Sequence, residues 1–361
     1  MRIEEIWWKR LTNPSNFAED ITYSVLDGKS AFVLYKNEIA WKDELIQNIV
    51  ENIEKDSPNM KTTIDVPESH SEPNEYILRK YCGDDEERSK YWPSAENTVA
   101  KFLARNPRAV LNRSNVILDM VYSKTPEKWI DFAEEYHSYF DEYDEQHGAL
   151  VLFIKDGDGH IKEYLKEKQC RCEIIDYDAN INDFDMLMLC MTILSEQNCS
   201  IQQKQYIAET ASALAGDNVM IAGKLAEYKG SLPVNTLNIA KKIFRENNIP
   251  CDDIETRVKK SLWKAQVKIL FPIIEQFRSG FISENPDRLK GCSLKAYKTS
   301  NIFELEIGQL YHLCMNNDIL TKKELKFLEK VKDARNSIAH LDVVAYNDVI
   351  SLMDKCTQYM E

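Results

Sequence analysis

The chain has 361 residues, 43% hydrophobic and 29% charged, proportions of a globular protein long enough for two or three domains with cores of their own. Its net charge of -13 excludes a general nucleic-acid coat or a ligand for an anionic membrane. No run of eighteen apolar residues occurs, which excludes a transmembrane helix.

The first stretch, "MRIEEIWWKR", carries acids where a secretion signal needs an apolar run, so a soluble cytoplasmic protein is expected. "SAFVLY" (30–35) is a short apolar run after the turn "LDGK" and before the helical pattern "WKDELIQNIVENI", which predicts a buried strand followed by a helix. "KTTIDV", "NVILDMVY" and "GALVLFIKD" predict further buried strands, alternating with "AENTVAKFLARN" and "PEKWIDFAEEYHSYF" as helices. Such alternation implies an open, mainly parallel sheet with helices on its faces. Between them, residues 67–94 are polar and rich in turn formers, and predict an irregular insertion.

From Phe184 the pattern is helical only. "FDMLMLCMTILSEQ", "QQKQYIAETASALAG", "NVMIAGKLAEY" and "VNTLNIAKKIFREN" form a small helical subdomain, with Gly216 placed to end one helix and Asp217 or Asn218 to cap the next. After "NNIPCDD", the run "SLWKAQVKILFPIIEQF" carries an apolar face, and Pro272 is expected to kink or break it. With "FELEIGQLYHLC", the helix beginning at Thr321 and "AYNDVISLMDKC", it predicts a compact antiparallel four-helix bundle. The expected organisation is an α/β domain over 1–183, an all-α subdomain over 184–252 and a helical bundle over 253–361. Charge divides along similar lines: residues 257–361 hold 17 Lys and Arg against 13 Asp and Glu, a balance of +4, and the rest carries -17. That asymmetry points weakly to a polyanion met by the carboxy-terminal part.

Nine cysteines are scattered, and only Cys170 and Cys172 lie close together, without a partner pair at zinc spacing. Reduced thiols are expected, with no disulfide framework and no metal site. The triplet Gly28-Lys29-Ser30 resembles the end of a phosphate-binding loop but precedes its strand. Such a loop needs its glycines after the strand and its Lys-Ser at the helix start. After "SAFVLY" the sequence is "KNEIAWKDEL", without glycine and without Lys-Ser or Lys-Thr, so no nucleotide cofactor is expected. Asp119 and Asp156 stand at or beyond apolar strands, where a magnesium-holding carboxylate would be, but are equally strand and turn residues. Trp7, Trp8, His137, His147, His160 and His312 are assigned to packing or surface.

"DARNSIAHLDVV" (333–344) is different. The helix leading to it opens with Thr321 and Glu324 at capping-box spacing, and Phe327, Val331, Ala334 and Ile338 form its apolar stripe. Arg335, Asn336 and His340 fall outside the stripe and can share an adjacent edge of the last turn. Arginine grips two phosphate oxygens, histidine moves a proton near neutrality and asparagine orients either by hydrogen bonding. Together they suit RNA cleavage without metal. Histidine would take the proton of a ribose 2′-hydroxyl, that oxygen would attack phosphorus, and arginine would stabilise the charge on the phosphoryl oxygens. One helix edge is too flat to enclose a phosphate, so a two-fold dimer is implied.

At these residues the sequence resembles the HEPN domain, whose motif is an arginine, usually followed by a polar residue, four to six residues before a histidine. Arg335, Asn336 and His340 match it with four intervening residues, and the resemblance covers about 261–361. It implies a dimeric, metal-independent endoribonuclease of bacterial toxin, phage-defence or CRISPR-linked systems, in a family that also includes members binding only RNA, nucleotide or protein. The preceding part resembles, more loosely, the nucleotide-binding core and helical lid of AAA or STAND ATPases, in the order sheet then helices, and departs from them at the phosphate-binding loop. The expectation is therefore an RNA-cutting effector that acts on RNA as a homodimer through its bundle. An inactive, acidic ATPase-like region would receive a signal or a regulatory protein. A non-catalytic interaction protein, or a nucleotide-driven switch, are the alternatives.

Overall fold

A computed structural model describes residues 2–140, 147–168 and 170–356. It divides into two compact units, Met1–Asp185 and Met186–Glu361. The first is a mixed α/β unit in the order α1 (Ile3–Arg10), α2 (Thr12–Leu26), β1 (Ala31–Tyr35), α3 (Lys42–Asp56), β2 (Lys61–Asp65), α4 (Pro73–Tyr81), α5 (Asp85–Ser89), α6 (Val99–Arg105), β3 (Ser114–Asp119), α7 (Pro126–His137), β4 (Leu150–Lys155), α8 (His160–Glu167), β5 (Glu173–Asp176) and α9 (Tyr177–Asn180). The expected sheet is present, parallel throughout, in the order β2-β3-β4-β1-β5. All of β1 and all but the last residue of β3 and of β4 are buried, as a sheet covered on both faces requires.

The order fixes where the helices lie. The chain leaves β1 toward β2 in one direction, and every later connection runs the other way. Right-handed crossovers then put α3 on one face and the β2–β3, β3–β4 and β4–β5 helices on the opposite one. Accordingly α1, α2 and α3 pack together, as do α4, α6, α7 and α8.

Three differences from the sequence reading have local causes, and a fourth concerns Pro272. The stretch 67–94 contains α4 and α5 and is not irregular, because Tyr76, Ile77 and Tyr81 supply α4 with a buried face under polar neighbours. The fifth strand escapes notice because it has four residues, of which Ile175 alone is buried. The amino-terminal helices α1 and α2, absent from the sequence reading, bury Ile6, Trp7, Trp8, Phe17, Ile21 and Val25, apolar positions interrupted by charged and polar residues. The helix containing Pro272, expected to kink or break there, is not broken and runs from Ile254 to Glu284.

The second unit is helical: α10 (Asp183–Ile193), which enters it across the boundary, α11 (Ile201–Ala215), α12 (Val219–Ala226), α13 (Ser231–Val234), α14 (Thr236–Glu246), α15 (Ile254–Glu284), α16 (Pro286–Leu289), α17 (Ile307–Asn316), α18 (Lys322–Ala339) and α19 (Tyr346–Cys356). Gly216 and Asn218 end and cap their helices as expected, with the Asn218 side chain accepting from the Ile221 amide at 3.1 Å. One core gathers α10 to α14 around Leu214, Leu225 and Phe244, and another gathers α15, α17, α18 and α19 around Phe277, Leu310, Val331 and Leu352. All nine cysteines are free. Among the described residues no helix is long and apolar enough to cross a membrane.

Gly148, which leads into β4, has no room for a side chain: a Cβ there would lie 1.8 Å from the Leu111 carbonyl oxygen and 2.3 Å from that of Ser114. Both obstacles are backbone. Gly148→Ala is expected to destabilise the α/β unit by at least about 2 kcal/mol in urea unfolding, whereas Gly157→Ala, where a Cβ meets nothing within 4 Å, should be nearly neutral.

Candidate functional sites

In a doubly wound sheet the ligand crevice lies beyond the carboxyl ends of two neighbouring strands whose connections leave in opposite directions. Here those strands are β1 and β4. The window 36–43, "KNEIAWKD", has the length of a phosphate loop, G-x-x-x-x-G-K-[ST], between strand and helix. Only Lys42 keeps its place. It is the first residue of α3, and Trp41 before it takes the left-handed backbone, φ 49° and ψ 51°, at the position of the second glycine. Asp119, read from sequence as lying within its strand, is the last residue of β3, where a magnesium-holding aspartate stands in nucleotide hydrolases.

These groups satisfy one another. Lys42 Nζ lies 2.6 Å from Asp119 Oδ2, both side chains largely buried. The Lys36 amide donates to Asp178 Oδ2 at 2.7 Å, so a carboxylate of the chain occupies a loop donor that a phosphate would use. Trp8 Nε1 donates to the carbonyls of Ala40 and Trp41 at 3.1 and 3.2 Å. Asp43 and Glu44 fill the first turn of α3 with negative charge, complementing the helix dipole that would otherwise attract an anion. The Tyr35 hydroxyl, raised above its ordinary pKa by burial and then by Asp119, has no hydrogen-bond partner among the described residues. Glycine spacing alone does not reveal the roles of Lys42, Trp8 and Asp178. Counting residues from the strand would have found Lys42.

The other sequence candidates are structural. Gly28, at φ 72°, ends α2 ahead of β1. Asp156 is buried and accepts from the Ile161 and Lys162 amides at 3.0 Å, holding the first turn of α8.

In the second unit, α18 begins as the sequence specifies: the Thr321 hydroxyl accepts from the Glu324 amide at 3.3 Å, and Glu324 Oε2 accepts from the Thr321 amide at 2.7 Å. Leu328, Val331, Ala334 and Ile338 are buried, while Phe327 is half-buried. Arg335 projects toward the start of α17, its Nη2 lying 3.0 Å from Glu306 Oε2. Asn336 and His340 are exposed, and His340 is the residue that closes the helix. No hydrogen bond or ion pair joins the three side chains to one another among the described residues.

The end of this helix is pinned to α15. Trp263 Nε1 donates to the Ile338 carbonyl at 2.8 Å, the Gln266 amide exchanges two bonds of 2.8 Å with the Val344 backbone, and Lys259 pairs with Asp342 at 2.8 Å. Lys259 draws the Asp342 carboxyl below its ordinary value. Leu341, beside His340, is exposed and left-handed at φ 63°, a position that glycine usually takes. The arrangement offers one immobilised guanidinium, an amide and an imidazole at the surface, suited to holding phosphate and moving a proton.

No protein-family model matches the chain, and no curated protein matches it. Two solved structures similar to it are both of the ORC2 protein of Aeropyrum pernix. For the ADPNP-ADP complexes the identity is 11%, the TM-score 0.33, and the match covers 96% of this chain and 85% of that one. For the ADP form the identity is 11%, the TM-score 0.30, and the coverage 90% and 93%. Likeness at this level carries no argument for this chain.

Two outcomes are expected. Calorimetry with ATP and magnesium should show no micromolar binding, because the loop donors and Lys42 are already engaged; micromolar binding that disappears in Lys42→Ala would overturn this. Second, Arg288, and then the Thr321 cap, lower the Glu324 carboxyl from 4.5 to about 2. A depressed carboxyl stabilises above its unfolded value and loses that contribution as pH falls through the folded one. Glu324→Gln, which retains a capping side chain, should be less stable than the parent at neutral pH, with the gap closing between pH 4.5 and about 2. A gap independent of pH in denaturant titrations would reject the assignment.

Proposed function

We propose that this protein is a metal-independent endoribonuclease of a bacterial conflict system, of the phage-defence or toxin type. The bundle around α18 is the nuclease, and the α/β unit is an ATPase-like region that no longer uses nucleotide and serves as sensor or restraint. Support comes chiefly from one observation: His340 and Asn336 stand exposed at the last turn of α18, with Arg335 on the same turn, while the rest of that turn is held by α15. In this reading His340 takes the proton from a 2′-hydroxyl, the 2′-oxygen attacks phosphorus as the P–O5′ bond breaks, and the departing 5′-oxygen takes a proton from water; Arg335 grips the phosphate through the donors that Glu306 leaves free, and Asn336 orients either group. A second copy completes the site as a two-fold homodimer. The occupied β1–α3 loop supports a regulatory and not a hydrolytic α/β unit.

A second reading is favoured by the Arg335–Glu306 ion pair. If that pairing is the purpose of Arg335, the bundle is a non-catalytic module that dimerises or binds a partner or RNA. The two readings assign opposite results to the same substitutions. For a nuclease, His340→Ala should leave the fold intact and slow cleavage by on the order of a hundredfold or more. Arg335→Lys should also fail, because lysine keeps charge but loses the two-pronged grip. Cleavage should persist in EDTA and give 2′,3′-cyclic phosphate ends, and a 2′-deoxy residue at the cut site should block it. Loss of thermal stability in both variants, with RNA left intact by the parent in the presence of its trigger, would establish the interaction module instead.

A further inference from the structure

The α/β unit carries a basic cavity unrelated to the strand ends. It has a volume of about 420 Å³ and lies between the α5–α6 connection and the turn after α6, with Lys90, Lys101, Arg105 and Arg108 on its wall against one carboxylate, Glu87. The part of the chain outside residues 257–361, to which it belongs, is strongly acidic, at -17 with these residues included. Four cations around one cavity of that part therefore oppose the prevailing charge.

Glu87 organises the floor and does not cancel it. Its carboxylate is buried and receives Lys90 at 2.7 Å, Arg108 at 3.2 Å and the Asn106 amide at 3.3 Å. Lys90 foremost holds that carboxyl below its ordinary value. Lys101 donates to the neutral Glu96 carbonyl at 2.7 Å and has no ion-pair partner among the described residues. Arg105 is exposed and has no hydrogen-bond or ion-pair partner among the described residues. Four cations against one acid leave an excess of three positive charges.

Aromatic surface adjoins this charge. Phe102 lines the cavity and packs against Tyr91, ring centres 5.3 Å apart. Trp92 follows Tyr91 and is 80% exposed, whereas the other five tryptophans are buried or half-buried. Its backbone is fixed, since the side-chain amide of Asn97, a cavity residue, donates to the Trp92 carbonyl at 2.8 Å. An exposed indole whose backbone is tied to a cavity residue, on a surface that also carries Lys101 and Arg105, is the combination that binds single strands: cations take the phosphates and the ring stacks a base.

We infer that this cavity of the α/β unit binds single-stranded nucleic acid, its phosphates against Lys101, Arg105 and Arg108 and a base on Trp92. The inference is independent of the reading of α18, and its failure leaves that reading untouched.

The test uses the full chain and a labelled oligodeoxythymidine of about eight nucleotides, within the usual site size, which a 2′-hydroxyl-dependent nuclease leaves uncut. Anisotropy titrations should show saturable binding that weakens with salt. Lys101→Ala with Arg105→Ala should weaken it about tenfold or more and lower the slope of log affinity against log salt by about 0.7 for each phosphate that is no longer neutralised. Trp92→Leu should weaken binding about fivefold or more, abolish quenching of intrinsic fluorescence and leave the salt slope unchanged. Absence of binding at submillimolar protein would overturn the inference, as would unchanged affinity in the double variant. Binding lost only in Arg335→Ala would place the strand on the bundle and overturn it too. Equal affinity for thymidine monophosphate, or for an oligoglutamate of the same length, would reject a strand as the ligand.

Discussion

A parallel sheet covered on both faces allows polar side chains only at its strand ends, and the α/β unit is organised by that constraint. β1, β3 and β4 bury almost every residue they contain. The polar groups that these strands carry are therefore pushed to the margins: Ser30 and Asn115 at the amino ends, where they receive the amides of Leu150 and Ala149 at 3.0 and 3.1 Å, and Asp119 and Asp156 at the carboxyl ends. A buried carboxylate left alone is costly. Asp119 obtains an ammonium and Asp156 two amides, so each end of the sheet is closed by the protein itself.

The same constraint gives the β1–α3 connection its character. Its length and its left-handed residue before the helix are those of an anion cradle, yet the groups that would meet an anion are consumed within the fold. Asp178 takes an amide, Asp119 takes the lysine and Trp8 takes two carbonyls. Each of these bonds is already formed within the fold, so a nucleotide would have to displace it and leave its partner unmatched. Geometry of the cradle and loss of its chemistry coexist because backbone path depends on connection length, while anion affinity depends on free donors.

In the second unit, position is supplied by α15. Its Trp263 and Gln266 bond to the backbone on either side of the α18 terminus, which lets a non-glycine residue, Leu341, hold a left-handed conformation next to His340. Strain of that kind persists only where neighbours over-determine it. The buried stripe of α18 and the bonds to α15 leave Asn336 and His340 no interior to enter, and their exposure follows from packing and not from polarity alone.

Periodicity determined a good deal. Short apolar runs bounded by turns identified four of the five strands. The Thr321–Glu324 pair fixed the start of α18. These signals are local: a strand buried on both faces must be apolar along its length, and a helix start must satisfy its own amides. Tertiary structure alone decided the rest. Strand order, the pairing of Lys42 with Asp119 across 77 positions of sequence, the indole of Trp8 over the loop and the separate direction taken by Arg335 toward Glu306 all join distant segments. No local pattern encodes such pairings, because the energy that selects them comes from burial shared between elements.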